Sequence, residues 1–133
     1  MKAWIFRFGP ALIIMATIFT ASGTPGPDLP SFGNWIWDLL IKKGGHMTGY
    51  ALLAAAFYHA LSNNKNTARI HYFIAFCLTV LYAATDEWHQ NFTPERTPSI
   101  LDVAIDATGG LIGLALLCWI RSRFAMSVKS AKS

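Results

Sequence analysis

The chain is poor in the groups that usually serve chemistry in water. Its two cysteines, Cys77 and Cys118, both lie inside apolar runs, where a thiol behaves as a small hydrophobe that oxidants and metals do not easily reach. No Cys-x-x-Cys pair or spaced Cys/His array suggests a thiolate zinc site. There is no nucleophilic serine motif, no phosphate-cradling glycine loop, no repeat and no low-complexity tract. Charged residues make up only 14% of the chain. The net charge is +4, but Lys and Arg form no continuous stripe, which sets nucleic acid aside as a partner.

What is abundant is hydrocarbon. Hydrophobic residues make up 53% of the 133, and the mean hydropathy is +0.37. Such a chain is too apolar for an ordinary soluble domain, and its length suits one integral membrane domain over residues 1–133. Four stretches are long and apolar enough to be read as helical spans, at about 4–21, 44–61, 70–90 and 100–120. The third span needs Asp86 to Gln90 to continue it into the interface. Helix is the form expected, because unpaired backbone groups in lipid cost several kcal/mol each. The fold expected is therefore all-α, a compact bundle of four transmembrane helices.

The connections differ. Residues 22–34 hold Pro25, Pro27 and Pro30 with three glycines and read as a loop. Asn34 then caps a short interfacial helix, "WIWDLLIKK", before the second span. The first span has a rival reading as a secretory signal, with Lys2 and Arg7 ahead of an apolar core and Ala21-Ser22-Gly23 as a small-residue exit.

Lys and Arg set the orientation. With both termini inside, Lys2, Arg7, Lys65, Arg69, Arg121, Arg123, Lys129 and Lys132 are cytoplasmic, and only Lys42, Lys43 and Arg96 are outside. All seven acidic residues, Asp28, Asp38, Asp86, Glu87, Glu95, Asp102 and Asp106, then lie on or near the outer side. Trp4 and Trp119 mark the inner boundary, and Trp35, Trp37 and Trp88 the outer one.

Polar residues recur at helical spacing near that outer side. Lys43, His46 and Tyr50 share one face, with Lys42 beside them. Asp86 lies three before His89 and four before Gln90; Asp102, Asp106, Gly109 and Gly113 form one stripe. Carboxylates facing hydrocarbon cost at least ~2.5 to 3.5 kcal/mol each at mid-bilayer, so these stripes should meet in an outer-leaflet pocket. The glycines allow close helix approach, either within the chain or in a homodimer through Gly109 and Gly113. Ser99 reads as the cap of the fourth helix, with Asp102 completing a looser capping box.

The motifs "KGGHMTGYALL" (Lys43, His46, Tyr50), "TDEWHQNFTPERTPSILD" (Asp86, Glu87, His89, Gln90, Arg96, Ser99, Asp102) and "DATGGLIG" (Asp106, Gly109, Gly113) carry a resemblance. Over roughly residues 38 to 118 the chain resembles the VanZ-like family of small bacterial integral membrane proteins, named for an accessory protein associated with resistance to teicoplanin. Two departures are visible: Glu95 stands where the family commonly has Gly before Arg96, and Asp106 where Asn is frequent. The resemblance implies a multi-pass protein of the bacterial inner membrane with an envelope role at the outer face.

Three functional expectations follow. In the first, the pocket binds an anionic envelope lipid or an amphiphilic glycopeptide and modulates the envelope or teicoplanin-type susceptibility. Its binding set is Lys43, His46, Tyr50, Asp86, Glu87, His89, Gln90, Arg96, Asp102 and Asp106. Lys43 and Arg96 hold the anion, and Asp102→Asn abolishes function at unchanged membrane abundance. In the second, the protein is a membrane hydrolase or transferase, with His89, Asp86 and Asp102 as catalytic candidates and a divalent metal on Asp86, His89, Asp102 and Asp106. No cofactor is required by the sequence. In the third, the charges only orient helices.

Overall fold

Four α-helices, α1 (Lys2–Ser22), α2 (Trp35–Leu61), α3 (Ala68–Gln90) and α4 (Ile100–Ser130), carry the computed structural model, and no strand occurs among the described residues. The structure describes residues 2–25, 31, 33–62 and 68–130, with side chains for 5–25, 31, 33–62, 69–127 of these. Expectations for Pro27, Asp28, Pro30, Lys65 and Lys132, and for the side chains of Lys2, Trp4 and Lys129, lie outside the described residues.

The helix ends follow local chemistry. Asn34 has extended backbone, φ −140° and ψ 123°, and its side chain accepts the Ile36 N–H at 2.9 Å, as an N-cap should. Asp38 in the first turn faces the positive end of the helix and accepts the Ser31 hydroxyl at 2.9 Å. At the other end the Ser62 N–H closes on the Tyr58 carbonyl at 2.9 Å. α3 unwinds after Gln90 through successive turns, Asn91 N–H to Trp88 O at 3.2 Å and Phe92 N–H to His89 O at 3.0 Å. Glu95 then takes φ +58°, the left-handed region where a side chain is strained and glycine is not.

One expectation is corrected. The "WIWDLLIKK" segment is not a separate interfacial helix: α2 runs unbroken for 27 residues. Gly44 and Gly45 sit in helical backbone with nothing within 4 Å of where a Cβ would be. Glycine weakens a helix by only about 1 kcal/mol and does not stop one in the absence of a competing cap or proline. α4 likewise continues past Ile120 to Ser130.

α2 is central. It packs against α1, α3 and α4, α3 touches all the others, and α1 and α4 do not meet among the described residues. The core is built on Tyr50, Leu53, Ala54, Phe57 and Tyr58 of α2, with Ala75 and Ala83 of α3 and Leu114 of α4 against them. The closest approach is between α2 and α4. A Cβ on Gly109 would stand 2.8 Å from Met47 Cα, and one on Gly113 2.7 Å from Ala51 Cα. The glycine stripe is thus packed against this chain's own α2.

The exterior is apolar and the interior polar. Phe6 and Ile13 are 80% and 68% exposed, whereas Asp86 and Asp106 are each 2% exposed. Soluble domains bury their large apolar side chains; this arrangement suits hydrocarbon as the solvent. Two helices are long and apolar enough by composition to cross a membrane, over Ile5–Ser22 and Ile100–Ser127. α2 and α3 have the length but not the hydropathy, because they carry the histidines, tyrosines and carboxylates of the polar interior. Trp35, Trp37 and Trp88 are exposed near one end of the bundle and Trp119 towards the other. Cys77 and Cys118 are free and exposed on the apolar exterior.

Candidate functional site

Asp86, near the end of α3, ties three helices together. One carboxylate oxygen, Oδ2, accepts the Ser22 hydroxyl of α1 at 2.7 Å and the Tyr50 hydroxyl of α2 at 3.1 Å. The other, Oδ1, is buried with no hydrogen-bond partner among the described residues. Hydroxyls are the donors a buried carboxylate needs, since charge-assisted hydrogen bonds are the stronger kind. Tyr50 is itself fully buried, and its ring lies 6.3 Å from that of His46 and 6.2 Å from that of Tyr82.

Next to this node is a cavity of about 450 Å³. Its polar lining comes from Lys42, Lys43 and His46 of α2, Glu87 and Gln90 of α3, Arg96 of the following loop, and Asp102 and Asp106 of α4. Its apolar wall is Thr17, Ile18 and Ala21 of α1 with Leu39 and Ile41 of α2. Gly45 and Gly49, on the same side of α2, also border it.

The charges inside pair by position. Lys43 bonds Asp102, joining α2 to the first turn of α4. One turn deeper, His46 Nδ1 lies 3.7 Å from Asp106 Oδ2. The Asp102, Asp106, Gly109 and Gly113 stripe therefore works as a unit, with its glycines bringing α4 close enough for its carboxylates to reach α2. Glu87 accepts the Ser99 backbone N–H at 2.6 Å through Oε1 and the Gln90 amide at 3.2 Å through Oε2. Ser99 does cap α4, its hydroxyl accepting the Leu101 N–H at 3.2 Å. The reciprocal partner of that cap is Glu87 from α3 and not Asp102, which is engaged by Lys43. Arg96 donates from Nε to the Thr24 carbonyl at 3.3 Å, fastening the loop to the end of α1.

Of the ten residues expected to bind, seven line the cavity: Lys43, His46, Glu87, Gln90, Arg96, Asp102 and Asp106. Tyr50 and Asp86 stand beside it in the hydrogen-bonded node. His89 is the exception. Its imidazole stacks on Phe19 with ring centroids 4.1 Å apart and does not line the cavity. The residues not foreseen as part of the site are Lys42, Ser22 and the α1 wall. Ser22 and Ala21, which a signal reading takes as an exit, here bond Asp86 and line the cavity; the signal available was only that Ser22 ends an apolar run on the same side as Asp86.

Among the described residues no three His, Cys, Asp or Glu side chains are grouped so that they could hold a metal ion. Asp86 is engaged with Ser22 and Tyr50, Asp102 with Lys43, and His89 with Phe19, so Asp86, His89, Asp102 and Asp106 do not form a donor set. The catalytic candidates His89, Asp86 and Asp102 are likewise not brought to one point. The imidazole that does face the cavity beside a carboxylate is His46.

A family model described as VanZ/LLP1 matches residues 5–121 of the chain. No curated protein and no solved structure matches it.

Proposed function

The chain belongs to the VanZ/LLP1 family, and from that premise we propose that it is an inner-membrane protein of the bacterial envelope whose pocket binds an anionic lipid or amphiphile. The observation that carries the reading is the cavity itself, lined by cationic Lys42, Lys43 and Arg96 together with apolar residues of α1 and α2. Ligand sites combine apolar walls with a few convergent polar groups. An amphiphile entering sideways from the leaflet puts its headgroup on the cations and its chains along Ile18, Leu39 and Ile41.

On this reading the single domain crosses the membrane four times, with both termini cytoplasmic and the pocket outward. The exposed apolar exterior and the eight-to-three division of Lys and Arg support that orientation. Binding here modulates envelope properties or glycopeptide susceptibility. A reporter fused after Ser133 reads cytoplasmic; a periplasmic signal there would put the pocket on the wrong side. Native mass spectrometry of the full chain released from mild detergent tests the binding. We expect a retained anionic lipid, and a protein that flies empty from several mild detergents refutes the proposal.

A further inference from the structure

The charges that line the cavity are not equally engaged. Every carboxylate has a partner: Asp102 has Lys43, Asp106 has His46 Nδ1 at 3.7 Å, and Glu87 has the Ser99 N–H at 2.6 Å and the Gln90 amide. The cations differ. Lys43 is held by Asp102, but among the described residues neither Lys42 nor Arg96 is in an ion pair. Arg96 uses its Nε on the Thr24 carbonyl at 3.3 Å, which leaves the terminal guanidinium nitrogens for something else. Both side chains are half-buried and line the cavity.

Half-buried cations without carboxylates call for an anion, and two of them suit a double negative charge. A phosphate monoester carries about −1.5 to −2 near neutral pH and offers three terminal oxygens. A guanidinium takes two such oxygens in parallel, and an ammonium takes a third as a point charge. A phosphodiester has one charge and two free oxygens, and matches one cation of the pair. We infer that the group bound here is a phosphate monoester held between Lys42 and Arg96, with the Lys43–Asp102 pair left closed. This rests on the lipid-binding reading above and narrows it to one headgroup chemistry, at the expense of the glycopeptide.

The test uses the full chain in phosphatidylcholine nanodiscs doped with equal small amounts of phosphatidic acid, a monoester, and phosphatidylglycerol, a diester. Retained lipid is counted by native mass spectrometry after ejection. We expect phosphatidic acid to be enriched over phosphatidylglycerol, and Arg96→Gln to weaken its retention about tenfold, the worth of one charge-assisted hydrogen bond. Lys42→Gln, on a half-exposed side chain that α2 does not need for folding, weakens it too and decides the matter if Arg96→Gln misfolds. Arg123→Gln, remote and exposed, leaves it unchanged. Equal retention of the two lipids overturns the monoester inference while the lipid-binding reading stands. Retention of neither overturns both. Displacement of phosphatidic acid by millimolar inorganic phosphate keeps the monoester chemistry and makes the free anion, not a lipid, its source.

Discussion

Replacing Gly113 by alanine sets the new methyl against backbone, and the outcome can be worked from distances. The Cβ would stand 2.7 Å from Ala51 Cα and 2.8 Å from its carbonyl carbon, where ordinary contact begins near 3.4 Å. Neither atom can rotate away, so α2 and α4 must part by roughly 0.7 Å or more at this point. Overpacking costs about 1 to 3 kcal/mol, and a rigid backbone neighbour belongs at the upper end; alanine's better helix propensity returns up to about 1 kcal/mol. The net loss is about 2 kcal/mol, a fall in Tm of about 5 to 10 °C for a chain of this size. Thermal unfolding in mild detergent, followed by loss of helicity, reads it. Gly9→Ala is the control, since nothing lies within 4 Å of that position, and it should melt with the parent or slightly above. Because Asp102 and Asp106 ride on the same face of α4, the parted helices also loosen the Lys43–Asp102 and His46–Asp106 pairs. If Gly113→Ala melts with the parent, the close α2–α4 contact is not what holds the site together.

Other perturbations separate the parts of the site. Tyr50→Phe removes one of the two hydroxyls that satisfy the buried Asp86 carboxylate and should cost about 1.5 to 3 kcal/mol; an unchanged Tm in the same melting assay would show the node to be dispensable. Asp102→Asn has an outcome different from the one the sequence suggests. Neutralising Asp102 releases Lys43 into the cavity as a further cation, so membrane abundance holds and retention of anionic lipid rises, and a fall in retention would mean that Asp102 contacts the ligand itself. Glu95→Gly relieves a left-handed residue at φ +58°, worth about 1 to 2 kcal/mol, against about 0.4 to 1 kcal/mol of added chain entropy. A small rise in Tm is expected, and a fall would assign the Glu95 side chain a stabilising contact.

The sequence made most of the site legible through helical periodicity, and the exceptions have physical causes. Spacings of three and four placed Lys43, His46 and Tyr50 on one face, and that face does meet α4. The failure at His89 is one of direction. Residues advance about 100° around a helix, so from Asp86 the positions of Gln90 and Glu87 lie about 40° and 100° to one side and His89 about 60° to the other. Gln90 and Glu87 reach the cavity on the first side; His89, on the second, meets Phe19 of α1 instead. Periodicity names the stripe but cannot say which flank of it opens. Ser99 was legible as a cap, while its reciprocal partner was not, because Glu87 comes from another helix twelve residues earlier. The "WIWDLLIKK" segment reads as separate because Trp35 and Trp37 suit an interface, yet a helix that carries them can equally run on into a span, as α2 does.

The continuity of α2 alters what its N-terminal part does. At about 1.5 Å per residue, its 27 residues extend about 40 Å, beyond the hydrocarbon thickness of about 30 Å. The segment read as a helix lying flat in the headgroups therefore rises as one wall of the cavity, presenting Leu39 and Ile41 beside Lys42 and Lys43. That places apolar and cationic groups within one turn of each other, the distance between a lipid's first methylenes and its phosphate. The low hydropathy of α2 and α3 is a consequence of the same construction. The second half of α2 is enclosed by its three neighbours, so Tyr50 and Tyr58 are buried in protein while Lys42, Lys43 and His46 line the cavity. Among the described residues that line the cavity, each carboxylate is matched within the chain, while Lys42 and Arg96 are in no ion pair and are left for a ligand.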